Sequence, residues 1–453
     1  MHRLRIVVVA ALVALGLAGP GARISAAKDV FLIRDTEIEN TIRVYTAPLF
    51  NVAGLDAAFV RIHLVQDDRL NAFVAGGQRI FVNTGLLKRA DGPGQVIGVM
   101  AHEMGHIAGG HLARMQDAIR DAQATSIAAL ILGIPAAIAA GDPAAMAAAR
   151  AAGDTIAQRT FLAYTRTMER AADQAAMNYL NEVGMSGQGL LEFLEILQKQ
   201  SRLYASNLDP YLQSHPLTED RIEFMRFEVG NSPFTDVPYS DQFVDMHERM
   251  RAKLVGYLDP KSQVWTRYPP NDTSTYARYA RAIAHMQVAE TPEALAEMDS
   301  LLEEAPNDPF YWEQRAEILR EAGRTEEAIE AYEKAIEVVP WAALIRLNLA
   351  QSQLELQDPA LLESAIENLR AALRYEPWLS RGWRHLAVAY GRNGELGDSA
   401  LAMAEASARR GRGKDAIHHA KRAQEMLPQG SAGWMRAQDI QVLLEQRLKD
   451  AQK

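Results

Sequence analysis

The chain has 453 residues, carries 48 basic against 57 acidic side chains for a formal charge of −9, and is 48% apolar. That apolar content supplies sizeable cores and excludes wholesale disorder, while the acidic balance excludes a general nucleic-acid binder, which shows a basic footprint. Cysteine is absent, which removes disulfide frameworks, thiolate metal clusters, a cysteine nucleophile and a lipid-anchoring cysteine.

Residues 1–27 read as a secretory leader. Arg3 and Arg5 precede an uncharged apolar stretch from Ile6 to Ala18, and Ser25-Ala26-Ala27 offers the small residues of a cleavage site. The apolar stretch is shorter than the roughly 20 residues a spanning helix needs, so cleavage before Lys28 and export to the periplasm are expected. Removal takes three arginines and moves the formal charge from −9 to −12.

Residues 28–262 alternate apolar helical patterns with short β-type runs and are the first expected domain. Within it, Asn71-Ala72-Phe73-Val74-Ala75 and Gln78-Arg79-Ile80-Phe81-Val82 flank Gly76-Gly77, a hairpin signal. An exposed strand edge at Asn71, Ala72 and Phe73 can take an extended substrate through main-chain hydrogen bonds; the alternative is a purely structural hairpin. An apolar helical run, Val96 to Ala101, then leads into His102-Glu103-Met104-Gly105-His106. Residues four apart share a helix face, so His102 and His106 can present two imidazole nitrogens to one Zn²⁺, with Glu103 beside the metal as a general base.

Zinc needs a third protein ligand, and two candidates compete. His111 nearly completes the pattern HExxHxxGxxH but stands one residue early, where Leu112 occupies the required place. On an exit turn the one-residue shift changes the direction of the side chain, and on a continuous helix it would point about 180° from His102, so His111 is expected as a polar residue beside the site. Glu169 lies 63 residues beyond His106, in Met168-Glu169-Arg170-Ala171-Ala172-Asp173. From a second helix it would complete a His₂Glu set, and Asp173, four residues on, would accept from the free ring nitrogen of a ligand histidine. The nearby Ala171, Ala172, Ala175 and Ala176 suggest close packing. With three ligands, zinc keeps an open position for water.

Between the two halves of this constellation, Ala122 to Ala140 carries no charge but includes Gln123, Thr125, Ser126 and Pro135 before Gly141-Asp142-Pro143 turns the chain. A buried or lid-like helical hairpin over residues 122–152 is expected, with a membrane span or peripheral membrane contact as alternatives. His63, His247, His285, His385, His418 and His419 show no metal spacing.

The junction Arg267-Tyr268-Pro269-Pro270-Asn271-Asp272 has the residues of a boundary, giving a linker at 263–271 and a second domain at 272–445. A ladder of Pro306, Pro340, Pro377 and Pro428 steps by 34, 37 and 51 residues. The second step is one 34-residue unit plus the insertion Gln357-Asp358-Pro359, and the third is one unit plus a further helix. A 34-residue period of helix pairs is the tetratricopeptide signature. Trp312, Ala316, Ala328, Tyr332, Ala335 and Pro340 fit one unit, and Trp383, Leu386, Ala387, Tyr390 and Gly394 another. Such a solenoid has a concave face suited to peptides or partner proteins. The expected fold class is mainly α with a small β-hairpin or sheet: a catalytic domain followed by a tetratricopeptide α-solenoid.

The motifs around His102, Glu169 and Asn71 together resemble the HtpX and CAAX-protease family of gluzincin zinc metallopeptidases, and the leader and repeats narrow the resemblance to periplasmic members. It implies one catalytic Zn²⁺ and an endopeptidase with a chaperone-like role. The implied substrates are unfolded or stalled outer-membrane β-barrel proteins, and the repeats would contact the barrel-assembly machinery. It also implies that His215, in Ser214-His215-Pro216, can take a fourth zinc position as a repressing switch, and that Arg221 is an oxyanion or structural contact. The competing readings are a proteolytically silent chaperone or scaffold and a membrane-integrated protease.

Overall fold

The computed structural model describes residues 7–9, 30–115, 117, 120, 165–203 and 215–450. The leader, apart from Val7–Val9, and the apolar region 122–152 lie outside the described residues. Among the described residues no helix is long and apolar enough to cross a membrane. The chain divides into two compact units, Met1–Leu254 and Val255–Lys453, and the architecture is mainly helical with one small sheet, as expected.

The first unit holds the sheet, in the order β1 (Val7–Val9), β2 (Val30–Ile33), β3 (Arg61–Val65), β5 (Arg79–Asn83), β4 (Ala72–Ala75). Without the leader residues the sheet keeps four strands. β3 and β5 run parallel, while β4 pairs antiparallel with β5 through the expected hairpin and, among the described residues, ends the sheet as an edge strand. The turn is made by Gly76 and Gly77 at φ +58° and +95°, a backbone that side chains rarely tolerate.

Alternation along the strands separates two faces. Leu64, Ala72, Ile80 and Val82 are buried on one. Helices α1 (Thr36–Val52), α2 (Thr84–Arg89) and α3 (Pro93–Ala108) follow from this half of the unit, and α3 packs against both α1 and β4. Asp35 caps α1 by accepting from the Ile38 N–H at 2.8 Å, and Pro93 opens α3 in the first turn, where its missing N–H costs nothing. The other face carries a ring ladder. His63 stacks on Phe81 at 5.0 Å, and Phe81 on Phe73 at 5.1 Å.

The second unit is a succession of helix pairs: Thr275–Gln287 with Thr291–Glu304, Pro309–Glu321 with Thr325–Val338, Ala343–Glu355 with Leu362–Tyr375, Ser380–Arg392 with Leu396–Arg409, and Gly413–Met426 with Ala432–Asp450. Ala316, Ala328, Tyr332, Ala335, Leu386, Ala387 and Tyr390 are all buried. The small residues let paired helices approach, and the aromatic rings fill the space between them. The proline ladder has a physical counterpart. The carbonyl of Pro306 accepts from the indole of Trp312 at 2.8 Å, that of Pro377 from Trp383 at 2.8 Å, and that of Pro340 from Arg346 at 2.6 Å. In three units the residue six after the proline closes the turn between helix pairs. The insertion after Gln357 forms a 3₁₀ turn, Pro359–Leu361, capped by Asp358.

The ring ladder makes the first unit sensitive to acid. Burial, with Arg34, Arg79 and Arg61 nearby, lowers the His63 pKa to about 4, below the unfolded value of about 6.5. As pH falls from about 6.5 toward 4, the unfolded chain takes up a proton that the folded chain refuses, so folded-state stability falls through this window. His63→Phe should flatten that dependence. Denaturant midpoints measured for both proteins across the window check it; parallel slopes would remove His63 as the source.

Candidate metal centre

The site is assembled where α3 meets the helix over residues 165–182. Four side chains, His102, His106, Glu169 and His215, each offer a donor atom, and these atoms lie within 4.8 Å of one another. His102 Nε2 is 3.0 Å from His106 Nε2, and the Glu169 carboxylate stands 3.4 Å from the first ring and 3.3 Å from the second. Donors placed about 2.0–2.1 Å from a tetrahedral Zn²⁺ are separated by about 3.3 Å, so this spacing fits a small tetrahedral ion. His215 joins the group with Nδ1 at 3.2 Å from both Glu169 oxygens. Among the described residues this is the one cluster of metal-binding type.

Local sequence explains the close approach. Gly105, inside the motif, faces the second helix, where an added Cβ would lie 2.9 Å from the Ala172 carbonyl oxygen. Ala172 and Ala176 are fully buried, which matches the expected close packing, whereas Ala171 is exposed. Glu169 and Asp173 therefore reach the histidines from one helix face, one turn apart.

Asp173, wholly buried, holds His102 from behind, with Oδ1 at 2.9 Å from Nδ1. Arg221, only 3% exposed, closes the back of the cluster. It donates to Asp173 through Nε at 2.7 Å and Nη2 at 2.9 Å, pairs with Glu169 at 2.8 Å and donates to the Pro216 carbonyl at 3.0 Å. His111, expected as a polar residue beside the site, lies there, with Nδ1 2.9 Å from His106 Nδ1. The helix ends at Ala108 and the chain turns at Gly109-Gly110, so helical geometry does not apply to it. The glycine pair was the available signal.

The electrostatics follow from burial. Burial alone disfavours a charged His102, but the Asp173 and Glu169 carboxylates outweigh it and hold its pKa up at about 10. Burial lowers His106 to about 3 despite Glu169. Burial would raise Glu169, yet His215, His102 and His106 hold it well below the usual carboxylate range. Glu103 differs. It is 0% exposed, and burial raises its pKa against the lowering effect of His215, His102 and a hydrogen bond from the Val74 backbone. Its nearest cation-capable neighbour is His215, with Nε2 at 3.4 Å from Oε1.

Of the remaining sequence candidates, Asn71, Ala72 and Phe73 lie at the start of the edge strand, with Asn71 just before β4. His247 is fully buried and bonds to the Ala90 carbonyl at 3.0 Å, apart from the cluster.

The arginine makes a stability prediction. Arg221→Met would leave two buried carboxylates without their permanent cation, and breaking such a pair costs about 3–5 kcal/mol. Chemical denaturation of the two proteins checks this; a loss below about 1 kcal/mol would mean that the carboxylates find other partners.

Residues 34–229 match Peptidase family M48, and residues 316–357 match a TPR repeat. A beta-barrel assembly-enhancing protease of Escherichia coli (strain K12) is 27% identical over 378 residues, 81% of this chain and 75% of that protein. A putative beta-barrel assembly-enhancing protease of Vibrio cholerae is 28% identical over 375 residues, 81% of this chain and 76% of that protein. Metalloprotease YcaL of Escherichia coli is 25% identical over 182 residues, 40% of this chain and 65% of that protein.

Proposed function

We propose that this chain, whose residues 34–229 are a peptidase family M48 metalloendopeptidase domain, is a zinc-dependent endopeptidase exported to the periplasm, with a chaperone-like role toward outer-membrane β-barrel proteins. The observation that carries the reading is the donor cluster at tetrahedral spacing with the buried Glu103 carboxylate, its proton affinity raised, beside it. His102, His106 and Glu169 would hold the ion, which when bound lowers the pKa of a water and polarises a carbonyl.

The chain's own residues do the rest. Glu103, buried and with its proton affinity raised, is the base that takes a proton from the attacking water and returns it to the leaving amine. Asp173 fixes the tautomer and direction of His102 by accepting from Nδ1. Arg221 braces Asp173 and Glu169 from behind the cluster, a structural part rather than an oxyanion contact. The outer edge of β4, entered through Asn71, Ala72 and Phe73, takes the substrate as an added strand. Strand addition reads the backbone, so it suits unfolded β-rich chains of varied sequence. His215 is a fourth donor that caps the site until it moves aside.

Barrel proteins as substrates are supported by the similarity to beta-barrel assembly-enhancing proteases, and a protein partner, which we take to be the barrel-assembly machinery, by the repeat array. Export rests on the leader pattern of residues 1–27, and the linker at 263–271 on the proline-rich junction.

Glu103→Gln should lower cleavage of an unfolded β-barrel protein by about 10²–10⁴-fold, the usual contribution of a general base, and chelation should abolish it. Equal cleavage by wild type and Glu103→Gln would leave the scaffold reading in its place. His215→Ala should cleave the same substrate faster than wild type at unchanged zinc content; unchanged or slower cleavage would remove the capping role.

A further inference from the structure

The two histidines of the motif are held alike at their inner nitrogens and differently at their outer ones. Both Nε2 atoms face the centre, 3.0 Å apart. His102 turns its Nδ1 to the Asp173 carboxylate at 2.9 Å. His106 turns its Nδ1 to another imidazole, that of His111, also at 2.9 Å.

The chain spends specific residues on this contact. Gly110 adopts φ +62° and donates its N–H to the Ile107 carbonyl at 3.0 Å, which ends the helix and turns the chain back. Gly109 leaves the space the returning ring occupies, since an added Cβ there would lie 2.4 Å from His111 Nε2 and 2.8 Å from Cδ2. The ring meets His106 edge-on, at 5.0 Å and 79° between planes, and His111 is 6% exposed.

We propose that His111 is a positioning residue for the metal: it accepts the Nδ1 hydrogen of His106, and so fixes the tautomer and direction in which His106 presents Nε2. The inference rests on the metal reading above and deepens it. The proton assignment follows from geometry. With the Nε2 lone pair of His106 turned inward, its ring proton is on Nδ1, and the facing Nδ1 of His111 is then the acceptor, with the His111 proton on Nε2. An imidazole is a neutral acceptor, so His106 is oriented without a further buried carboxylate.

The test is zinc affinity of the full-length protein, measured by competition with a chromogenic chelator, for His111→Ala, His111→Phe and His111→Asn. Phe keeps a ring on Gly109 without the acceptor, and Asn keeps an acceptor oxygen near the place of Nδ1. Removing a group that orients a ligand costs about 10–100-fold in metal affinity, so Ala and Phe should each bind zinc about tenfold or more weakly, and Asn within about threefold of wild type. The Co²⁺-substituted protein should show a shifted d–d spectrum in the Ala and Phe variants and a restored one in Asn. Wild-type affinity in Ala and Phe would overturn the proposal, as would an Asn variant as weak as Ala. A loss in Ala equal to that of His106→Ala would make His111 a ligand and overturn it equally. Failure of the metal reading itself is separable, because wild type would then bind no stoichiometric zinc and His106→Ala would change nothing.

Discussion

Three carboxylates, Glu103, Glu169 and Asp173, are buried side by side with at most 2% exposure, and the rest of the site answers to that constraint. Burying one unpaired carboxylate costs several kcal/mol. Arg221 supplies one permanent positive charge and spreads it over Asp173 and Glu169, which leaves the cluster short of cation. A proton on His102 and a divalent ion at its Nε2 are alternative ways to make up the shortfall, and they compete for the same lone pair. In the proposed reading, the raised proton affinity of His102 and its place in the donor set are thus two expressions of one negative field. At Glu103 burial outweighs the lowering effect of His215 and His102 and raises the proton affinity, which in the proposed reading sets the base apart from the ligand among neighbouring acids.

Such a cluster needs two helices closer together than bulky side chains allow. Gly105 supplies the gap on one helix, and Ala172 and Ala176 supply the flat face on the other. The metal-binding spacing and the small residues between its members are therefore one feature. A Cβ at position 105 would press on backbone rather than on a flexible side chain, so the helix carrying Glu169 could not relieve it by a rotamer change. The turn at Gly109-Gly110 extends the same economy, letting the chain place an imidazole behind His106 immediately after the helix that carries it.

What was legible in the sequence was what period and spacing encode. His102 and His106 on one face, Glu169 and Asp173 on another, the Gly76-Gly77 hairpin and the 34-residue ladder all depend on separations of a few residues or on a repeat. Spacing placed His111 beside the site, but its contact with His106 was not legible, because the turn at the two glycines sets the direction of the ring. The pairing of Arg221 with Asp173 was not legible from the residues either. It joins positions 48 apart, and no local pattern tells which of many arginines turns inward. The indole-to-proline bonds lay between the two cases: the prolines and tryptophans were visible as a period, but their mutual hydrogen bond is a property of the folded turn.

His215 ties these arguments together. Its ring contacts Glu169, a member of the donor set, and faces the buried Glu103 carboxylate. Its neighbour Pro216 gives its carbonyl to Arg221, which holds Asp173 and Glu169 at the same time. In the proposed reading, displacement of His215 vacates a donor position and uncovers the base in a single motion, since one ring covers both. In that reading the two carboxylates keep Arg221 as their cation when the ring moves. A cap built this way can open without disturbing the charges that hold the site together, which is the physical requirement for a protease that is stored closed and remains folded when it opens.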